Sequence, residues 1–392
     1  MIASVDASSI MNIALMTAIA DEQVGVLLGG QYGSVFLSVR ASAITNVALG
    51  PGGVALIELG ALNAGEVNSI VDFVSTGAVT NILLGAGAVA RIVAGSIDIE
   101  RANSIILLVN TGSLTNVNIG GGADTDIVVG AVTGRRAENI KLVASVGNLT
   151  NVALGGGIDA KIVVGKVDAQ DLHDVTLLAL TGSITNVVLG GGIGSDVEVA
   201  TVSGSGSAAS FVATGNIANI ALCGGCSPRI RVGNHVGRGS SSLQASILTG
   251  NITNIAMGDS SIAIGNSSLQ SARARISVAT GNVTQIVALN LGATAKIYAG
   301  NVYASNASVD SFVYAGSLTN LVTLSLGGAG GILLGNVDVN GGTHRTFVST
   351  GDIFNTENLG TEIVDAIVSF FTGGSGPSIS CTKIGNIGGW DC

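Results

Sequence analysis

A repeat of about 35 residues constrains this chain more than any other feature. The segments TGAVTNILLGAG from Thr76, TGSLTNVNIGGG from Thr111, VGNLTNVALGGG from Val146 and TGSITNVVLGGG from Thr181 restate one pattern. Taking the residue five before the motif Asn as the unit start gives 7, 41, 76, 111, 146, 181, 214, 249, 280, 315 and 350. The spacings are 34, 35, 35, 35, 35, 33, 35, 31, 35 and 35, so eleven units cover nearly all of the 392 residues. A fixed period of this length is the mark of a repeat architecture, in which each unit buries its apolar side only against its neighbours. It argues against separate catalytic and substrate domains.

Most units hold three apolar runs. In the unit from 146 they are LTNVALG (149–155), AKIVVGKV (160–167) and DVTLLAL (174–180), separated by GGID and DAQDLH. Each run is short, rich in Val, Ile and Leu and bounded by turn residues, which predicts strands; none has the length of a helix. With three strands per unit, an antiparallel meander would reverse equivalent strands in successive units, and like residues could not stack. A solenoid makes one coil per unit and pairs each strand in parallel with its equivalent. The expected fold is therefore all-β: a parallel β-solenoid (β-helix) of about eleven coils of about 35 residues, three strands per coil. At ~4.8 Å per coil the rod is on the order of 50 Å long.

Stacking assigns roles to columns. The motif amides are Asn12, Asn46, Asn81, Asn116, Asn151, Asn186, Asn219, Asn254, Asn320 and Asn355, with Gln285 in the remaining unit. In a parallel stack they can hydrogen-bond up the column as a structural ladder. Asn also tolerates left-handed backbone, which places it at a corner of the coil. A Thr column, including Thr80, Thr115, Thr150 and Thr185, runs beside it. Gly60, Gly95, Gly130, Gly165 and Gly233 share one unit position, where a bend or a close backbone contact is expected. Phe73, Phe211, Phe312 and Phe347 recur three residues before a unit start and are expected to fill the core of the third side.

The ends differ from the repeats. Residues 1–350 form the expected solenoid domain and 351–392 a capping or tail segment, where TEIVDAIVSFF (361–371) has helical spacing. The first unit begins seven residues in, with no distinct cap ahead of it and no basic, long-apolar secretory leader. An open first coil is expected to let another subunit continue the sheet.

Composition agrees with stacked strands. Gly is 59 of 392 residues, charged residues are 10% and hydrophobic residues 47%, too apolar for a disordered chain. The net charge of −9 lacks the basic footprint of a nucleic-acid binder, and no membrane-spanning apolar run is present.

Chemistry-bearing residues are few. CGGC, Cys223 to Cys226, has the spacing of a disulfide, a redox pair or half of a zinc site, and Cys381 and Cys392 flank a short tail that a disulfide would close. All four are disulfide candidates; free thiols and metal chemistry remain alternatives for the CGGC pair. GGGADTD (120–126) is superficially like calcium-binding nonapeptides, but Asp124, Asp126, Asp159 and Asp196 fit solvent-facing turns better. His173, His235 and His344 sit in different units without a repeated acidic or nucleophilic partner. Neither a GxSxG elbow nor a phosphate loop is present. Glu58 and Glu198 share a unit position but lie four coils apart, roughly 19 Å, too far for a glycosidase pair. No catalytic residue, cofactor site or metal site is therefore expected, and the chain is not expected to be an enzyme. The sequons at Asn148, Asn251, Asn266, Asn282 and Asn306 are glycan sites if the protein is extracellular.

The repeated TGxLTN pattern resembles the β-solenoid repeats of filamentous-haemagglutinin-type adhesins. The glycine-rich, low-charge, amyloid-like composition is similar to that of methanogen sheath and surface-layer proteins. That resemblance implies an extracellular or cell-surface location and a homopolymer built by end-to-end or lateral β-pairing into a sheath, filament or surface layer. The alternative is an adhesin or other binding module, such as an ice-binding solenoid, presenting one flat face. Ice binding would need aligned Thr-x-Thr rows, and only one Thr column is evident. A pectin-lyase-like enzyme is disfavoured by the missing carboxylate cluster.

Overall fold

The structure, a computed structural model, describes residues 2–15, 19–156, 159–190, 194–222, 226–237, 241–257, 259–270, 272–288, 294–323, 329–358, 372–373 and 378–384. Nearly all of these are strand, and none of the described residues is helical. Pairing is parallel throughout, and each strand is bonded to its equivalent one unit later. Asn46 pairs with Asn81, Asn81 with Asn116, Asn116 with Asn151 and Asn151 with Asn186. The same column starts at Asn12 and ends at Asn355. Its eleven rungs are the coils of a parallel β-solenoid.

One coil shows why the sequence folds this way. Its first side, Leu149–Gly156, turns Leu149, Asn151 and Ala153 inward and Thr150, Val152 and Leu154 outward. The next strand, Asp159–Thr181, supplies the other two sides. Ala160, Ile162 and Val164 are buried along the second, and Val175, Leu177 and Ala179 along the third. Inward residues stack on their equivalents, as in the column Ile70, Ile105, Ile140, Val175. The units of 33 and 31 residues keep this register by shortening corners: Val175 pairs with Ala208 after two register shifts, and the strand at Ser242 resumes pairing with Arg273.

The second side is bent at the glycine column. Gly60, Gly95, Gly130, Gly165, Gly233, Gly265, Gly300 and Gly335 have φ between 59° and 67°, a left-handed conformation that costs an L side chain about 1–2 kcal/mol. In one coil Ala200 takes this place, with φ 56°. The expected bend is therefore present, and it folds the run AKIVVGKV around a corner.

Two expectations are corrected. The ladder amides are not at a corner: they lie in mid-strand and point into the core, and Asn46, Asn81, Asn116, Asn151 and Asn186 are fully buried. The phenylalanines do not fill the core. Asp72 and Val74 point inward, so the alternation of the strand turns Phe73 out. Phe211 is 40% exposed, and Phe312 stacks on Phe347 on the outer surface at 5.2 Å between centroids.

Stacking extends beyond residue 350. Ile353–Asn358 and Ser378–Ile384 both pair in parallel with the coil before them. The segment 361–371 expected to be helical lies outside the described residues.

Candidate functional site

The buried amide column is the most ordered polar feature. Nδ2 of Asn46 donates to Oδ1 of Asn81 at 3.0 Å, and the pattern repeats for Asn81 to Asn116, Asn116 to Asn151, Asn151 to Asn186, Asn186 to Asn219 and Asn219 to Asn254, at 2.9–3.2 Å. Each amide also reaches a carbonyl nine residues on, as Asn46 does to Ala55 at 2.8 Å, Asn81 to Ala90 at 2.9 Å and Asn151 to Ala160 at 3.0 Å. One proton therefore climbs the stack while the other ties the first side to the second across the intervening turn. An amide fits this place because it supplies two donors and an acceptor from a short, uncharged side chain. Sequence placed these residues in a ladder; their second role, holding the turn, depends on their pointing inward. Among the ladder residues, the side chain of Asn355 is not described.

Two further ladders run along corners, one exposed and one half-buried, and sequence reading missed them. Oδ1 of Asn148, Asn216, Asn251 and Asn282 each accepts the backbone N–H of the next coil at 2.9 Å, from Ser183, Asn251, Asn282 and Ser317. Asn234, Asn266 and Asn301 do the same on another corner, at 2.9–3.0 Å. Sequons at Asn148, Asn251, Asn266 and Asn282 therefore coincide with structural turns. The signal was the recurrence of GN at two unit positions.

Charged side chains lie on the outer surface in alternating columns. Arg91, Asp126, Lys161, Asp196 and Arg229 follow one another in register. Burial raises the pKa of Asp126 and of Asp196, opposed mainly by Arg91 and Arg231 respectively. Glu198 is bound by Arg231, which also lies 3.7 Å from Asp196. Glu58 and Glu198 stand four coils apart, separated by Val93, Val128 and Val163. Asp124 and Asp159 do stack on adjacent coils, yet among the described residues no group of three His, Cys, Asp or Glu side chains could hold a metal ion.

Among the described residues, Asp72, His235 and His344 turn into the core. Asp72 is fully buried between Leu37 and Leu107 of the adjoining coils, and neither carboxyl oxygen has a hydrogen-bond partner. Burial raises its pKa to about 7. His235 lies 2.9 Å from Ser210 through Nε2, beside a cavity of about 20 Å³ lined by Gly204, Gly206 and Leu269. Burial lowers its pKa to about 4, against a raising effect of the Gly233 backbone. His344 is buried too, and burial lowers its pKa. The Ser210–His235 pair is enclosed and has no carboxylate to orient it, so it lacks the access and the third group that an activated nucleophile needs. Cys226 is buried against Ala153, Ala160, Val188 and Ala221 and is not a free thiol; Cys223 and Cys392 lie outside the described residues, and Cys381 pairs with Phe347 in the last strand.

Larger concavities are open grooves. One of about 530 Å³ runs over Phe36, Phe73, Leu108 and Val143, and another of about 550 Å³ over Asp98, Glu100, Arg135 and Asp168. No described helix is long and apolar enough to cross a membrane.

Fold and ladder together define a repetitive parallel β-solenoid. No protein-family model matches the chain, and no curated protein or solved structure matches it.

Proposed function

We propose that this chain is a structural protein that self-assembles outside the cell into a sheath, filament or surface layer. The supporting observation is the ladder: side chains that could do chemistry are instead committed, coil after coil, to stacking. A coil edge in a parallel stack presents backbone N–H and C=O groups in the register of the next coil, so a second chain can continue the sheet by β-augmentation. Saturated backbone bonding, amide ladders and aliphatic columns resist unfolding and proteolysis, which is the whole of the mechanism; no catalytic role belongs to it. A Cys223–Cys226 disulfide across the turn and a Cys381–Cys392 loop belong to the same proposal, as does glycosylation of exposed sequons.

Negative-stain images of the purified chain, with light scattering over a concentration series, test the proposal. Ordered tubes, fibres or sheets are expected. Lone rods of monomer mass at high concentration would sink it and favour a binding module.

A further inference from the structure

The first side of the solenoid turns outward a surface unlike the other two. Successive coils present Thr115, Val117, Ile119; Thr150, Val152, Leu154; and Thr185, Val187, Leu189. From Val47 to Leu321 every residue of the middle column is Val, Ile or Leu, and from Leu49 to Leu222 every residue of the next column is Leu or Ile. The middle column is half-buried and most of the next is exposed: Leu84 and Ile119 are 40% exposed and Leu222 42%. Between Thr45 and Met257 the three outward columns hold no charged and no aromatic residue. Charge is confined elsewhere, as Arg91, Asp126 and Lys161 on the second side and Lys141, Asp310 and Arg345 on the third.

Nine coils at ~4.8 Å by a strand of five or six residues at ~3.3 Å make a face of about 800 Å². Monomeric proteins seldom leave more than ~300–600 Å² of contiguous apolar surface bare. Two such faces together would bury about 1,600 Å², within the roughly 1,200–2,000 Å² of a stable interface.

The chemistry of the face selects its occupant. It has no aromatic ring to stack on a sugar, no cation for an anionic lipid and no interfacial Trp or Tyr belt. Its rows repeat every ~4.8 Å along the axis and about every 6.6 Å across it. A surface with the same two spacings can interdigitate with it without voids, and the same face of another copy has both. No charge opposes that contact. We infer that two copies of this chain pair through these first-side faces, as a dry, isologous zipper of Val, Ile, Leu and Thr rows parallel to the solenoid axis. The inference rests on the self-assembly proposed above and names its lateral interface.

The test compares the full chain with the double variant Val117→Glu/Val187→Glu, whose carboxylates lie two coils apart and point to solvent in a single solenoid. Thr176→Glu, beside Lys141 on the third side, is the control. Circular dichroism checks that all three fold. Wild type and control are expected to sediment as pairs or multiples of pairs, with images two solenoids wide. The double variant is expected at half the sedimenting mass and one solenoid wide. Wild-type assemblies only one solenoid wide, or a folded double variant that stays paired, would overturn the zipper and leave self-assembly standing. A wild-type chain that stays monomeric would overturn both.

Discussion

Gln285 follows Asn254 in the buried amide column, and the ladder breaks between them. Nδ2 of Asn254 and Oε1 of Gln285 are both buried without a hydrogen-bond partner. Gln285 uses its longer side chain to reach the carbonyl of Ala295 at 2.7 Å, ten residues on where the asparagines span nine. The unit between them is the shortest, at 31 residues, and Ser260 rather than the usual residue nine positions on bonds Asn254.

Gln285→Asn is expected to close this gap. A shorter amide at the rung meets Asn254 as its equivalents meet one another and satisfies two stranded groups, for a gain of about 1–2 kcal/mol. The guanidinium midpoint should rise. The converse change, Asn151→Ala in the intact part of the ladder, removes bonds to Asn186, Ala160 and Ser195 and leaves Nδ2 of Asn116 with Thr125 alone. It should cost about 2 kcal/mol by the same measurement.

The glycine corners give a graded prediction. At Gly300 an added Cβ would meet Cγ2 of Val313 at 2.4 Å, whereas at Gly165 the nearest atom, Cδ1 of Leu177, is 3.5 Å away. Their φ values are 66° and 67°. Gly165→Ala should cost only the backbone term, about 1 kcal/mol, and Gly300→Ala about 3 kcal/mol because overpacking adds to it. Ala200→Gly, at the one corner that already carries a Cβ, should raise stability by about 1 kcal/mol. Denaturation midpoints should therefore fall in the order Ala200→Gly, Gly165→Ala, Gly300→Ala.

Much of this was legible in the sequence because a parallel stack converts period into register. Asn46, Asn81 and Asn116 could be placed over one another from spacing alone. What spacing does not carry is which side of the strand faces in. In TNVAL both alternating sets are largely apolar, so the pattern that separates Val152 from Ala153 is absent. The phenylalanines were misplaced for that reason, and the outward aliphatic face went unread. Contacts across a corner were hidden too: Ser210 and His235 are 25 residues apart and meet only because the coil folds back.

Asp72 should make the solenoid weaker as pH rises. In the unfolded chain its pKa is near the ordinary 3.8, and in the fold it is about 7. Below pH 4 it is neutral in both states and costs nothing electrostatically. Between those values the unfolded chain releases its proton first, and stability falls by roughly 4 kcal/mol by pH 8. Asp72→Leu matches Leu37 and Leu107 on either side. It should therefore stabilise strongly at pH 8 and much less at pH 3.5, read as the difference in guanidinium midpoint between variant and wild type at each pH.

His235 should act in the opposite sense. Its pKa falls from 6.5 to about 4 on burial, so the unfolded chain takes up a proton that the folded chain refuses. Its contribution is intact above pH 6.5 and is lost as pH drops towards 4, by about 3 kcal/mol in all. Its column neighbours Val202, Ser267 and Val302 are small and uncharged, so His235→Val fits the stack and removes the proton-binding site. The cost of losing the Ser210 contact is nearly independent of pH. Relative to wild type, the variant should therefore be less stable at pH 8 and gain steadily between pH 6.5 and 4. Because Asp72 and His235 lie several coils apart, the two effects should add in the double variant. Since the two slopes oppose each other between pH 4 and 6.5 in wild type, each single variant should depend more on pH there than wild type or the double variant does; single variants with the wild-type profile would show that other groups set it.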